Sequence, residues 1–185
     1  MNNNGVEDDD QVIIGKLEEL LNSELKASLK KFDCGDVLLN QFAKKQLVNK
    51  DENGWVRAFI AVHNNQVVGY ITVRAHSLLR DRILASGPRE FPSLMVDQLA
   101  VDKRYQSKGI GQTLLARAFQ CAVIISKEAG IKGVTLWAHP RATNFYENLG
   151  MIKVTSATEQ FGEVELQLMY INIEMLVQAY WDKSA

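Results

Sequence analysis

The passage from "SLMVDQLAVD" through "KRYQSKGIGQ" into "TLLARAFQCAVII" constrains the fold more than any other part of the chain. Ser93 to Asp102 has the composition of a strand, and from Ile110 the apolar positions Ile110, Leu114, Ala118, Ala122 and Ile125 recur at helical spacing. Gly130 is a natural stop for that helix. Between strand and helix stand Gly109 and Gly111, poor helix formers placed where the helix begins. A helix N-terminus offers backbone N–H groups without intrahelical partners and a partial positive charge, so it draws anions, phosphate above all, when no side chain bars the approach. One such interaction is worth about 0.3–1 kcal/mol, and about 2 when partly buried, so several amides must converge for useful affinity. Ser107 and Lys108 add a hydroxyl and a charge. A plain turn joining a strand to a helix carries the same glycines, and Gly-x-Gly alone does not separate the two readings. The stretch lacks the P-loop pattern, and Thr113 and Leu114 follow where a dinucleotide fingerprint wants its third glycine.

The rest of the chain predicts mixed α and β structure. Val12 to Leu17 suits a first strand, while Leu17, Leu20, Leu21, Leu25, Leu29 and Phe32 also fit a helical stripe, which leaves that boundary open. Leu39, Phe42, Ala43 and Leu47 share a helical face after Asp36, an N-cap residue. Two β-rich runs around Asn64-Asn65 predict a hairpin from about Trp55 to Arg74, because asparagine tolerates positive φ. His76 to Pro92, with three arginines, Gly87, Pro88 and Pro92, has a loop's composition. "GVTLWAH" alternates as a half-buried strand, Pro140 opens a short helix bearing Phe145 and Tyr146 that Gly150 closes, and "EVELQLMYINIEML" alternates as a last strand. Hairpins dominate over βαβ winding, so the class is α+β.

With 185 residues, 46% hydrophobic and 23% charged, the chain suits one globular domain over 11–185 after a mobile, polar start at 1–10. Lysine plus arginine, 21, against aspartate plus glutamate, 22, gives a net charge of −1, which sets no overall bias toward nucleic acid or anionic membrane. Lys44, Lys45, Lys50, Arg74, Arg80, Arg82 and Arg89 either gather on one face or are ordinary solvated charges. Cys34 and Cys121 lack metal or redox spacing and are expected to be reduced thiols, Cys34 as a small buried residue and not a nucleophile. His63 and His76 have no partner at metal spacing, and Trp55 and Trp137 suit core or pocket walls. The start is acidic where a signal peptide is basic and then apolar, and no apolar run is long enough to span a bilayer, so a cytoplasmic protein is expected.

Gln106, Gly109 and Gly111 form Q-x-x-G-x-G after "DQLAVD", and this resembles the acetyl-CoA pyrophosphate loop of the GNAT acyltransferase superfamily. Downstream, "RATNFYENLGM" resembles that superfamily's A-x-x-F-Y-E-x-x-G-F segment, here Ala142, Phe145, Tyr146, Glu147, Gly150 and Met151. The asparagine often found seven residues before the tyrosine is His139 in this chain. A narrower likeness lies upstream. "FDCGDVLLNQFAKKQ" resembles the F-D-C-G-x-x-x-L-N segment of the GNAT group that includes toxins acetylating the amino group of charged tRNA, as do "LAVD" and "LQLMYINI".

The resemblance implies a mixed, mostly antiparallel central sheet flanked by helices and splayed between the "LMVDQLAVD" and "GVTLWAH" strands. It implies acetyl-CoA as co-substrate and no metal. Pantetheine would pair with the backbone of Leu99, Ala100 and Val101, and the pyrophosphate would rest on amides from Gln106, Ser107, Lys108, Gly109, Ile110 and Gly111 to Gln112 and Thr113. His139, Asn144 and Phe145 would complete the cofactor contacts. An amine would attack the thioester directly in a ternary complex, with the N–H near Leu99 stabilising the oxyanion. Tyr146 is the candidate general acid, since a phenol keeps its proton at neutral pH, although packing with Phe145 in the core is its structural alternative. Asp97 is the candidate base, acting through water. Three readings of the acceptor stand: a small amine or protein amino group, an aminoacyl-tRNA with a small antitoxin as partner, or no turnover in an acyl-CoA-binding module. The tRNA-directed toxins are usually arginine-rich, and a net charge of −1 argues against a broad tRNA surface. A homodimer is compatible with any of these.

Overall fold

Contacts divide the chain into two units, Met1–Thr72 with Gln98–Leu115 and Val73–Asp97 with Ala116–Ala185, in the computed structural model, which describes residues 11–79 and 88–181. The expected mobile start and Arg80 and Arg82 lie outside the described residues.

In the first unit the open boundary near the N-terminus resolves as a strand followed at once by helices: β1 (Ile13–Lys16), α1 (Leu17–Leu20) and α2 (Ser23–Leu29). Asp36 caps α3 (Val37–Lys45), its carboxylate accepting from the Leu38 and Leu39 amides at 2.9 Å each, and α4 (Leu47–Glu52) follows. β2 (Arg57–His63) and β3 (Gln66–Leu79) form the expected hairpin, with Asn64 at φ 47° and Asn65 at φ 54° supplying the left-handed turn. β1 pairs antiparallel with β2 from Ile13–Val62 to Lys16–Phe59. The strand order continues through β3 to β4 (Glu90–Val101).

The core of this unit gathers leucines of α1 and α2 around Phe32, Phe42 and Tyr70. Tyr70 meets Phe32 edge-on and stacks on Phe42 at 5.9 Å, while its hydroxyl donates to the Leu39 carbonyl at 2.9 Å. Gly69 sets how closely the next helix, α5 (Ile110–Glu128), comes to the sheet. A Cβ there would lie 3.0 Å from Leu114 Cδ1 and 3.2 Å from the Ala100 carbonyl oxygen. The missing side chain thus seats the first turns of α5 against β3.

The second unit holds β5 (Gly133–Ala138), α6 (Thr143–Glu147), β6 (Ile152–Phe161), β7 (Val164–Asn172) and α7 (Ile173–Trp181), with the remaining parts of β3, β4 and α5. Its strand order is β3-β4-β5-β7-β6. β4 and β5 run parallel through Leu94–Val134, Met95–Thr135 and Val96–Leu136, where their pairing ends although both strands continue. β5 pairs antiparallel with β7 from Gly133–Asn172 to Ala138–Gln167, and β7 pairs antiparallel with β6. The sheet is mixed, mostly antiparallel and accompanied by helices, the class the sequence predicts.

Four expectations need correction, the first being Trp55, expected in the core or a pocket wall and found exposed. β3 extends to Leu79 and β4 begins at Glu90, so both ends of the supposed loop His76–Pro92 are strand. β5 is buried on both faces, Thr135 included, and only Trp137 is half-buried. The last alternating segment turns into helix at Ile173. The whole of β6 goes unread in "IKVTSATEQF", because the register breaks between Lys153 and Thr158 and puts Val154 and Ala157, three residues apart, both in the core.

Candidate active site

The predicted site residues fall into two groups. Leu99, Ala100, Val101 and the loop Gln106–Thr113 belong to the first unit, while Asp97, His139, Asn144, Phe145 and Tyr146 belong to the second.

In the first group β4 ends at Val101, and α5 begins at Ile110. The loop between them places two residues in the left-handed region, Ser107 at φ 62° and Gly109 at φ 81°. Serine there is strained, which is common where a backbone is shaped for a ligand, and only glycine adopts the second position at no cost. Nothing but the Gln112 side-chain oxygen, at 3.8 Å, lies near the missing Cβ of Gly109. Residues Lys103–Ser107 form turns, and among the described residues no backbone bond of good geometry runs from the amides of Gly109 to Gln112. The first helical bond runs from the Thr113 N–H to the Gly109 carbonyl at 3.0 Å, seconded by the Thr113 hydroxyl at 3.1 Å. Gly111 sits inside the first turn of α5. The loop therefore offers consecutive amides and an open glycine, the donor set an oxyanion of a phosphate requires.

A second layer holds this loop in place, and sequence reasoning missed it. Gln106 Nε2 donates to the Cys34 carbonyl and to the Val101 carbonyl, both at 2.9 Å, tying the loop to the "FDCG" turn and to the end of β4. Asp33 receives the Lys103 ammonium at 2.7 Å and the Asn40 amide at 2.9 Å, and the Asn40 oxygen accepts from the Cys34 N–H at 2.8 Å. The Lys103 N–H donates to the Asp33 carbonyl at 2.8 Å. Lys103, with the Gly35 amide and Asn40, holds the Asp33 carboxyl well below the usual carboxylate range. Asp102 is buried, which by itself raises its pKa, but the forked contact from Arg104 and the amides of Arg104 and Asp33 outweigh burial and keep it low. The F-D-C-G-x-x-x-L-N stretch is thus a bracket for the loop, and its legible signal was polar residues at fixed spacing with no periodic role.

Tyr105 adds a smaller device. Its hydroxyl lies 3.2 Å from His63 Nδ1, and Lys108 Nζ stands 5.2 Å from its ring centroid, which keeps a cation beside the free amides. Neither Cys34 nor Cys121 is in a disulfide, and burial pushes the Cys34 pKa up, away from nucleophilic use.

In the second group the His139 side chain accepts from the Arg141 N–H at 3.1 Å, capping the 3-10 turn Pro140–Ala142 that leads into α6. Asn144 is exposed, and Phe145 and Tyr146 meet edge-on at 5.1 Å. The Tyr146 ring is half-buried, yet its phenol sits deep enough that desolvation pushes the pKa up to about 12. No described residue bonds its hydroxyl, so the proton is held firmly and is free to be donated.

Asp97 lines a cavity of about 440 Å³ in the second unit. Arg74 Nε reaches both of its oxygens, at 2.9 and 2.8 Å, while Arg74 Nη2 meets the Met95 sulfur at 3.2 Å. Each carboxylate oxygen keeps a second lone pair, so Asp97 is clamped without being saturated. His76 lies beside them, and burial followed by the Arg74 charge lowers its pKa and favours the neutral ring.

A model of the acetyltransferase (GNAT) domain matches residues 54–151, from β2 through the loop and α6. The chain belongs to the GNAT acetyltransferase family. A tRNA-acetylating toxin of Mycobacterium tuberculosis is 27% identical over 120 residues, covering 62% of this chain and 72% of the toxin. Two solved GNAT toxin structures are similar over 92% of this chain and 99% of theirs. AtaT complexed with acetyl-methionyl-tRNAfMet has a TM-score of 0.78 at 27% identity. A tyrosine-to-phenylalanine mutant of AtaT, bound to the C-terminus of the antitoxin AtaR and acetyl-CoA, has 0.73 at 26%. The family and the subgroup that the sequence motifs point to are those found.

Proposed function

We propose that this GNAT acetyltransferase moves the acetyl group of acetyl-CoA to the α-amino group of an aminoacyl-tRNA in the cytoplasm, and that a small antitoxin restrains it. The observation that carries the donor half is the loop Gln106–Gln112, whose amides from Gly109 onward have no well-formed backbone acceptor among the described residues and whose Gly109 leaves the approach open. The acceptor and antitoxin rest on the similarity to toxins solved with acetylated tRNA and with an antitoxin.

In this reading the loop takes the pyrophosphate and the backbone of Leu99–Val101 takes pantetheine. The neutral amine attacks the thioester carbon, the Leu99 N–H receives the oxyanion, and the carbon–sulfur bond breaks as Tyr146 gives its proton to the departing sulfur. The ammonium proton passes through water to Asp97, on a lone pair that Arg74 leaves open. An α-amine suits this machinery because its ordinary pKa is about 7.7–8.0 against about 10.4 for lysine, so much more of it is neutral at pH 7. A small-amine acceptor is the competing reading, and the net charge of −1 favours it.

Incubation with labelled acetyl-CoA, bulk charged tRNA and a panel of small amines tests the choice. Label in the tRNA fraction that mild alkali releases as N-acetyl amino acid is the expected result. Label in the amine panel with none in tRNA overturns it.

A further inference from the structure

A second cavity, of about 480 Å³, lies wholly within the first unit and is lined by none of the residues assigned to the transfer. It sits among α2, the start of β3 and Arg104, and its volume is in the range of small-ligand pockets. Two hydrogen bonds build its walls. The Ser28 hydroxyl accepts from the Val67 N–H at 3.0 Å and joins α2 to β3, while Asn65 Nδ2 donates to Glu24 Oε2 at 3.0 Å and joins the hairpin turn to α2. Three charged residues line the cavity, and each keeps bonding capacity. Glu24 has its second carboxylate oxygen unused. Lys31 has no hydrogen-bond or ion-pair partner among the described residues. Arg104 commits Nε and Nη2 to Asp102, at 2.9 and 3.0 Å, which leaves both hydrogens of Nη1 and one of Nη2. The Asp102 charge offsets that of Arg104, so the balance is Lys31 against Glu24, close to neutral with separated poles.

We infer that this cavity binds a small zwitterion, a free amino acid or a short peptide, whose ammonium meets Glu24 and whose carboxylate meets Lys31 and Arg104. A purely anionic ligand would meet Glu24 with like charge, and a purely cationic one would meet Lys31 with like charge. An uncharged ligand forgoes the charge-assisted bonds that both poles offer. Glu24 and Lys31 stand seven residues apart, about 10 Å along α2 and the turn that follows it. A dipeptide separates its end charges by about 3.5 Å more than a single amino acid does, so the span distinguishes the two by fit. Phe32 and Val67, both almost wholly buried, give the lining an apolar part that suits an apolar side chain.

Arg104 links this cavity to the donor loop. Asp102, which fixes it, also accepts from the Asp33 N–H at 3.3 Å, and Asp33 with Asn40 holds the turn on which Gln106 rests. A carboxylate on the free edge of Arg104 leaves its fork on Asp102 intact and immobilises it, so occupancy tightens the bracket. Zwitterion and acetyl-CoA then raise each other's affinity by the same factor. This coupling rests on the donor-loop reading, whereas the cavity's own ligand does not.

Calorimetry on the full chain, first without acetyl-CoA, tests both. The ligands titrated are methionine, methionyl-methionine, N-acetylmethionine, which lacks the ammonium, and methionine amide, which lacks the carboxylate. Saturable binding of methionine or the dipeptide is expected, with each singly charged analogue about tenfold weaker or more. The tighter of the two zwitterions identifies the source as free amino acid or peptide. Glu24→Gln, at an exposed position, should erase the penalty on N-acetylmethionine and keep that on the amide, and Lys31→Met, also exposed, should shrink the penalty on the amide alone. No binding of any of the four, equal binding of the singly charged analogues, or penalties unchanged in both variants overturns the site. Acetyl-CoA titrated against the saturated protein should bind about fivefold tighter or more, and Lys31→Met should lose that gain. An unchanged acetyl-CoA affinity removes the coupling and leaves the site standing, and a chain that binds the zwitterion but no acetyl-CoA overturns the donor-loop reading alone.

Discussion

In the proposed mechanism, Tyr146 and Gly109 each place one chemical property where the transfer needs it. For Tyr146 the property is a proton that stays on until sulfur departs, secured by burial that pushes its pKa up to about 12. Tyr146→Phe removes that proton with little change of shape. Turnover is expected to fall about 10²–10⁴-fold while acetyl-CoA binding, followed by calorimetry, persists. The same shift makes a statement about stability. The unfolded phenol titrates near 10, so above that pH the unfolded chain loses a proton that the folded one keeps, and stability declines from about pH 10 toward 12. Part of that decline should vanish in the phenylalanine variant, as read from urea midpoints across the range. For Gly109 the property is backbone freedom. Valine at φ 81° carries a strain of roughly 1–2 kcal/mol and puts a branched side chain in the open approach, so Gly109→Val should weaken acetyl-CoA binding about 5–30-fold or more.

At the scale of elements, the loop is only as good as its bracket. Gln106→Leu removes two hydrogen bonds, each worth about 1 kcal/mol, and Asn40→Ala leaves the Cys34 N–H without its acceptor. Both are expected to raise the KM for acetyl-CoA about tenfold while kcat stays within about twofold, although Asn40 is placed to touch the "FDCG" turn and not the ligand. A fall in kcat alone would mean that the bracket serves something other than the donor. The sequence carried much of this level. The hairpin at Asn64-Asn65, the cap at Asp36 and the helix from Ile110 were legible because turn chemistry, capping and periodicity are local properties. The turn that leads into this helix, with Gly109 in the left-handed region, was legible for the same reason. β6 was not, since its register break destroys alternation, and α7 was hidden because "NIEML" continues the apolar spacing of β7. The pairing of the bracket with the loop was out of reach for a different cause: Asp33 and Lys103 stand 70 residues apart, and only the fold joins them. The clamp of Arg74 on Asp97 spans neighbouring strands and was equally out of reach.

For the molecule as a whole, charge sets how a tRNA can be held. The net charge is −1, and five of the 21 lysines and arginines are held in ion pairs with neighbouring carboxylates: Arg74 on Asp97, Lys103 on Asp33, Arg104 on Asp102, Lys153 on Glu147 and Lys16 on Glu19. No described helix is long and apolar enough to cross a membrane. If the acceptor is an aminoacyl-tRNA, few phosphates are neutralised on binding, on the order of three, and recognition concentrates at the aminoacyl end. Counterion release then predicts a shallow dependence of the KM for charged tRNA on salt, with a log–log slope of about 2–3. Between 50 and 200 mM KCl the KM should rise about 20–60-fold, while the KM for acetyl-CoA, whose phosphates meet backbone amides, should change far less. A slope above about 6 would require a broad basic surface that the internal ion pairs argue against. A slope near zero with active transfer would mean that the RNA body is not held at all, and the acceptor would then be any amine that the Asp97 cavity accepts.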